Sequence, residues 1–556
     1  MRILICSNAY PPDFVGGAEL IAHYQGLTLR AAGHEVRAFA GDTRGTAPRY
    51  ATADGDCDGI PVRRIRLTAD DFNPAHANFC HPAVEASFAA LVSDFRPDVV
   101  HFHNLIGLSV KIVHLAREAG ATTVVTLHDH WGYCFKNTAL VTEGEQCEDA
   151  TACRRCQQVI DDGRGRRIPM RMRQDSFALL AGSVDAFVSP SRYLADSYVA
   201  AGFPAGRMHV VWNGIDVERF AKVRRVRSDG PLRFSFIGHF GRHKGVHTLL
   251  QALPLVSSRA DLRINLVGDG EERADYERVL AANGWARRVR FWGKVDNSRI
   301  DDVYAETDVL VLPSIWRENQ PVSITEAMAS GCAVIASDMG GNCELVADGV
   351  TGYLFTAGDA AQLAERMSRF VDHPDLPERM GRDGRRRISP CSLQAQVGEL
   401  LGVYSSAGRQ SSPLRPQSPL VACFGDRVHA DAALALDLIA GYCPEVPVRV
   451  TMSEWLTAAQ LRSALALWVV DDRADVEEAL ALAAAYGLPL IVPAASEGLT
   501  WACRAARCGL HYADADEAAA GVAYLLTHDQ DRMLLSNAAR ALHFGDDALR
   551  IAGQPP

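Results

Sequence analysis

The chain has 556 residues, 48% of them hydrophobic and 22% charged, with a formal net charge of −10. That length exceeds what one hydrophobic core can organise and calls for about three domains, while the ordinary composition excludes disordered, collagen-like and coiled-coil classes. The acidic balance also argues against nucleic acid as a partner, because phosphate contacts need a basic face.

In chain order, residues 2–8 read as a strand, 18–32 as a helix ending at Gly33, and 36–40 as the next strand, a βαβ opening. The apolar run Ile3-Leu4-Ile5-Cys6 is too short for a signal-peptide core. Further apolar runs fall at 99–102, 122–127, 186–189 and 209–212, separated by helical or loop-like sequence. Short strands alternating with helices imply a doubly wound parallel sheet. A second series begins near Leu232, with strands expected at 233–237, 263–267, 289–292, 309–312 and 333–336. Two such units, 1–220 and 221–405, would face each other across a cleft, where ligands bind at strand ends.

Residues 406–419 are rich in Ser, Pro, Gly and Gln and read as a linker. A third α/β unit, 420–556, follows. Leu467–Val470 parallels Val309–Leu312, 483–493 parallels 327–337, and Tyr512–Asp516 more weakly parallels Phe355–Asp359. A degenerate duplication of the second unit and an unrelated Rossmann-like domain explain these echoes about equally well.

No uncharged apolar stretch reaches the roughly 18 residues needed to span a bilayer, so a cytoplasmic protein is expected. There the 14 cysteines should stay reduced. Arg164, Arg166, Arg167, Arg171 and Arg173 surround Ile168, Met170 and Met172. This stretch reads either as a surface for anionic headgroups on the inner face of the membrane, or for a phosphorylated acceptor, or as a solvated loop.

The most informative stretch runs from Glu318 through Asn319, Gln320, Pro321 and Val322 to Glu326 and Gly331. Pro321 suits a first helical turn, because its missing N–H would have had no partner there. The preceding loop then sits at a helix N-terminus, whose free N–H groups and dipole make an anion site for a diphosphate. Carboxylates at 318 and 326 cannot bind that anion, but they can accept hydrogen bonds from the hydroxyls of the sugars flanking it.

Two glutamates eight apart are common by themselves, but the context is specific. Glu318, Glu326, Gly331, the strand Ala333–Ala336, Gly340-Gly341, Glu344-Leu345-Val346 and Gly349–Gly352 occur in order, and this pattern resembles the signature of retaining glycosyltransferase family 4. The resemblance covers about residues 1–405 and implies a GT-B fold: two Rossmann-like doubly wound domains facing a cleft, here followed by the third α/β unit. It implies an acceptor-binding first domain and a donor-binding second domain. It also implies a retaining transfer of a hexose from a nucleoside-diphosphate sugar to a glycan or lipid-linked acceptor, with no metal required for the chemistry.

Other positions follow from the resemblance. Gly16 and Gly17 match glycines that let backbone amides approach the donor diphosphate, and Lys244 matches the lysine that neutralises it. Where the family often has arginine after the glycine ending the preceding strand, this chain has His239, with Arg242 three residues on; Arg242 is the expected partner charge because its charge does not depend on pH. His128 ends a strand where the family places a histidine beside the donor sugar, with Asp129 and His130 as weaker acceptor-site candidates. The third unit, aligned on Gly487, has Ala474 and Leu482 opposite the two glutamates, so an accessory role is expected.

Cys134, Cys147, Cys153 and Cys156 follow the spacing C-x12-C-x5-C-x2-C. Four thiolates satisfy tetrahedral zinc, so a structural ion stapling the 134–156 insert is one reading. Free thiols and a disulfide are the others. Two other readings of the whole chain stay open: a non-catalytic glycan- or nucleotide-binding scaffold, and another GT-B enzyme such as an epimerase or phosphorylase.

Overall fold

The computed structural model describes the chain apart from residues 13–15, 74–80, 142–145, 148–155, 158, 162–166, several positions within 171–182, 225–229, 257–260, 408–419, 425–448, 453–463, 471–478, positions within 481–486, and 541–556. The expected linker therefore lies almost wholly outside the described residues.

In chain order the first strands are β1 (Arg2–Ser7), β2 (Glu35–Asp42), β3 (Thr52–Cys57), β4 (Ile60–Arg66), β5 (Val99–Phe102), β6 (Thr122–Thr126), β7 (Val159–Asp161), β8 (Arg167–Pro169), β9 (Ala186–Ser189) and β10 (Met208–Val210). One sheet has the order β10-β9-β6-β5-β1-β2-β4-β3. All its pairs are parallel except β3 with β4. β5 and β9 are buried at every residue, as expected for strands covered on both faces. The β3–β4 hairpin has no counterpart in the sequence reading, since β3 is almost wholly exposed and carries no apolar alternation.

The second sheet contains β11 (Leu232–Ile237), β12 (Leu262–Val267), β13 (Val289–Gly293), β14 (Val309–Leu312), β15 (Ala333–Ser337) and β16 (Gly352–Phe355). It is all parallel, in the order β13-β12-β11-β14-β15-β16. Strand order reverses between β5 and β1 in the first sheet and between β11 and β14 in the second. Those reversals open crevices at the carboxyl ends of the strands.

The helix Leu393–Ser406 leaves the second unit and packs on the first. Its Val397, Leu400, Val403 and Tyr404 join Ile3, Ile5, Ala22 and Leu29 in one buried cluster. Division of the chain at 405 by sequence thus cuts across the packing: the helix follows the second unit in sequence and completes the first in space.

A third sheet contains β17 (Leu420–Phe424), β18 (Arg449–Met452), β19 (Ala466–Val469), β20 (Leu490–Pro493) and β21 (Gly509–Tyr512), in the order β18-β17-β19-β20-β21. That order repeats β12-β11-β14-β15-β16. The helices after β16 and β21 are capped alike, by Asp359 on Gln362 N and by Asp514 on Glu517 N. Ala474 and Leu482 lie outside the described residues.

The third unit rests on the first. Trp468, Ile491, Leu510 and Val522 share an apolar cluster with Val113, Ala116 and Ile160. Lys111 and Asp531 form an ion pair of 3.6 Å there, with side chains only 5% and 2% exposed. Of the basic stretch, the well-described side chain is Arg173, and it is buried: it donates to Trp131 O at 2.7 Å and lies over the Phe177 ring. It cannot serve a membrane surface. No described helix is long and apolar enough to cross a membrane.

Candidate active site

The carboxyl ends of the first two sheets enclose a cleft of 780 Å³. Gly16, Gly17 and His128 line one wall; His239, Lys244, Glu318, Asn319, Gln320, Pro321, Val322 and Glu326 line the other. The structure thus brings together every expected donor-site residue except Arg242.

Gly16 and Gly17 sit where β1 leads into the helix Gly17–Ala31, with Gly16 N donating to Glu19 Oε2 at 2.9 Å. A Cβ on Gly17 would meet Val322 Cγ2 of the opposite domain at 3.4 Å, so this turn approaches the second domain closely. Pro321 is the N-cap residue of the helix Val322–Ala329, one position outside the first turn, so the loop ahead of it does end at a helix N-terminus.

Lys244 and Glu318 touch each other. Lys244 Nζ lies 2.7 Å from Glu318 Oε1, which also accepts from Ser314 Oγ at 2.6 Å. Lys244 Nζ stands 4.9 Å from the Trp316 ring centroid. Burial pushes the Glu318 carboxyl up, but Lys244, with hydrogen bonds from Ser314 and Trp316, outweighs it and holds the group below its ordinary value. The sequence reading gave the two residues separate ligands, whereas here they form one charged unit.

Local backbone geometry aims that unit. Gly245 has φ +69°, and a Cβ there would collide with Pro313 O. Gly341 N donates to Glu318 O at 2.6 Å, and side chains at 340 or 341 would strike the backbone of Glu318 or Asn319. The Gly-Gly turn of the signature therefore packs directly on the loop bearing the acidic residue.

Glu326 faces the cleft from one helical turn further in, accepting from Tyr304 Oη at 2.7 Å. Burial raises its pKa to about 7, against the pull of Tyr304 and Arg219. Gln320 spans the domain boundary: Asn213 N donates to its Oε1 at 2.5 Å. Asn319 Nδ2 likewise donates to His128 O. Both amides tie the domains together.

His239 lines the cleft and pairs with Glu271 at 2.9 Å. Arg242 is exposed, does not line the cleft, and acts electrostatically on His247 and Tyr276. The pH-independence of its charge was a sound reason to prefer it, but the short 3-10 turn Arg242–Lys244 aims Lys244 at the cleft and Arg242 elsewhere.

His128 also borders a second, largely apolar cavity of 80 Å³ that Asp129 lines as well. Burial pushes Asp129 up to about 6. His130 is buried away from the cleft, with Nε2 3.1 Å from Tyr193 Oη. The sequence reading overlooked His103, Ser314 and Tyr304, each of which contacts an expected site residue. His103 had a signal, a second histidine at the end of a strand at the switch point.

Cys153 lies outside the described residues. Cys134, Cys147 and Cys156 are free thiols whose three sulfurs do not all lie within 4.8 Å of one another. Zinc needs its thiolates closer than that, so the three described members do not fit the ion. Among the described residues, metal-ligand proximity occurs at His23, Cys57 and Asp58 instead.

The sequence profile "Glycosyltransferase Family 4" matches residues 15–219, and "Glycosyl transferases group 1" matches 218–387. A glycogen synthase of Mycobacterium tuberculosis strain H37Rv is 26% identical over 441 residues, covering 76% of this chain and 98% of the relative. A GDP-mannose-dependent alpha-mannosyltransferase of Mycolicibacterium smegmatis is 26% identical over 422 residues, covering 74% and 99%. Among solved structures, a sucrose-phosphate synthase from Thermosynechococcus elongatus superposes with TM-score 0.55 at 21% identity, over 73% of this chain and 98% of its own. The catalytic domain of starch synthase IV from Arabidopsis thaliana, bound to ADP and acarbose, does so with TM-score 0.52 at 17% identity, over 73% and 99%. With two adjoining profiles spanning 15–387 and the matching two-sheet architecture, the chain belongs to the family 4, group 1 glycosyltransferases and has the GT-B fold.

Proposed function

We propose that this glycosyltransferase moves a hexose, with retention of anomeric configuration, from a nucleoside-diphosphate sugar to a hydroxyl of a glycan or lipid-linked acceptor. The observation that carries this reading is the Lys244–Glu318 pair, 2.7 Å apart, beside a helix N-terminus and opposite the Gly16-Gly17 turn. In this reading Lys244 and the free N–H groups at Val322 and Ser323 neutralise the diphosphate. Glu326 accepts hydrogen bonds from ribose hydroxyls. Glu318 holds Lys244 in place and accepts from a hydroxyl of the sugar.

The cleft offers stabilisation of a leaving diphosphate without an enzymatic nucleophile. The acceptor hydroxyl attacks the anomeric carbon from the side the diphosphate leaves, the C–O bond to phosphate breaks, and the hydroxyl proton passes to the departing phosphate oxygen. Preorganised charge at that oxygen acts during the reaction without reorganisation. We assign this charge to Lys244, with His239 as the second group, and not to Arg242.

The first unit would bind acceptor, the second donor. The third, with the strand order of the second, reads as its degenerate repeat in an accessory role. The test of retention is the anomeric configuration of the product from an α-linked nucleotide sugar, read by proton NMR: an α-linked product is expected, and a β-linked product overturns the reading.

A further inference from the structure

A row of histidines leads from the core to the cleft. His101, in β5, has both ring nitrogens occupied, by Tyr404 Oη and Thr126 Oγ1, each at 2.7 Å. His103, just past β5, lies with its ring 4.5 Å from that of His101 and stacked at 5.1 Å on His128. His103 Nδ1 is 2.8 Å from His128 Nε2. One of these two nitrogens carries the proton.

The surroundings decide which. His103 is 3% exposed, and its Nε2 has no partner among the described residues. If His103 carried its proton on Nε2, a buried N–H would be orphaned, which is rarer and more costly than an orphaned acceptor. Trp131 points the same way. Its Nε1–H, a donor only, is also buried without a partner, and Trp131 and His103 line the same small cavity. With a bare His103 Nε2, that nitrogen and the Trp131 Nε1–H make an acceptor and a donor that water can join, whereas a proton on Nε2 would make both of them donors. His103 therefore carries its proton on Nδ1 and donates to His128 Nε2, leaving His128 protonated on Nδ1. Burial favours neutral rings throughout, holding His128 down to about 4 and His103 well below its ordinary value.

We propose that His103 is a positioning residue that locks His128 as the Nδ1–H tautomer, so that His128 presents a fixed N–H donor, and not a base, to a hydroxyl of the donor sugar. The part concerning the sugar rests on the function proposed above. The lock itself does not.

Nitrogen-15 histidine NMR of the full ligand-free chain reads the lock, with the His128 signal assigned by its loss in His128→Asn. A pyrrole-like Nδ1 and a pyridine-like Nε2 are expected for His128, reversing in His103→Leu and retained in His103→Asn, whose amide donates from nearly the same place. A His128 protonated on Nε2 in the native chain, or unmoved by His103→Leu, overturns the proposal. In binding assays His103→Leu should bind free nucleotide as the native chain does but lose about tenfold of the extra affinity for the nucleotide sugar. Loss of both affinities together would mark a structural role only and overturn the donor assignment. If the tautomer is as stated and no nucleotide sugar binds, the lock stands and the proposed function fails.

Discussion

Lys244 Nζ reaches Glu318 Oε1 at 2.7 Å across the mouth of β14, and this contact joins the basic and the acidic halves of the proposed donor site. Glu318 is 6% exposed and Lys244 20%. Removing either partner leaves a largely buried charge uncompensated, a loss of roughly 3–5 kcal/mol for fully buried pairs and less here.

Lys244→Ala is expected to lower transfer by about 10²–10³, as for loss of one preorganised group at a developing negative charge. It should also lower the melting temperature. Glu318→Gln keeps hydrogen bonding to Ser314 and should perturb stability less than Glu318→Ala. Steady-state kinetics and thermal melts check both; Lys244→Ala with native activity would remove it from the site.

Arg242 provides the contrast. Because its side chain is exposed and turned from the cleft, Arg242→Ala should change activity less than tenfold, while the neighbouring Lys244→Ala shows the full loss. A loss as large for Arg242 would show that the side chain swings inward during catalysis.

Much of this was legible in the sequence. The continuous apolar strands of the first two sheets, and β19 and β20 within the segments of the third unit that echo the second, were, because a strand covered on both faces must be apolar throughout. The Glu318–Glu326 stretch was legible for another reason: a helix start, two small-residue turns and a strand have to follow in fixed order for the loop to fit beneath Gly340 and Gly341. Pairings between remote residues were not. Lys244 with Glu318, Gln320 with Asn213 and His103 with His128 depend on how β-strand ends meet in space. The exposed strand β3 and the return of the helix Leu393–Ser406 to the first sheet were hidden likewise, the one lacking apolar periodicity, the other giving no sign of which core its apolar face joins.

Glu326 should make stability depend on pH. Its pKa rises to about 7 in the folded protein from an ordinary 4.5, so the folded state holds a proton that the unfolded chain has released. Its contribution is fully present below about 4.5 and is lost as pH rises through about 7. Glu326→Gln should therefore melt like the native chain at pH 4 and above it at pH 8. A melting difference independent of pH would contradict the raised pKa.

The third unit is expected to be integral to the first. Lys111→Ala, which removes the cation facing buried Asp531 and leaves it the hydrogen bond from Tyr524 Oη, should destabilise the chain by up to about 3 kcal/mol. The paired replacement Lys111→Met with Asp531→Leu should recover most of it. Denaturant unfolding of both variants measures this; no effect of Lys111→Ala would contradict a stabilising role for the buried pair between the two units.

Thermal melts against a panel of UDP, GDP and ADP sugars, with native protein and Glu326→Ala side by side at pH 8, test the central claim most directly. One donor should raise the native melting temperature by several degrees and the variant's much less. Equal shifts in both proteins, or none with any nucleotide sugar, would contradict a cleft in which Lys244, the helix start at Val322 and Glu326 together hold the donor.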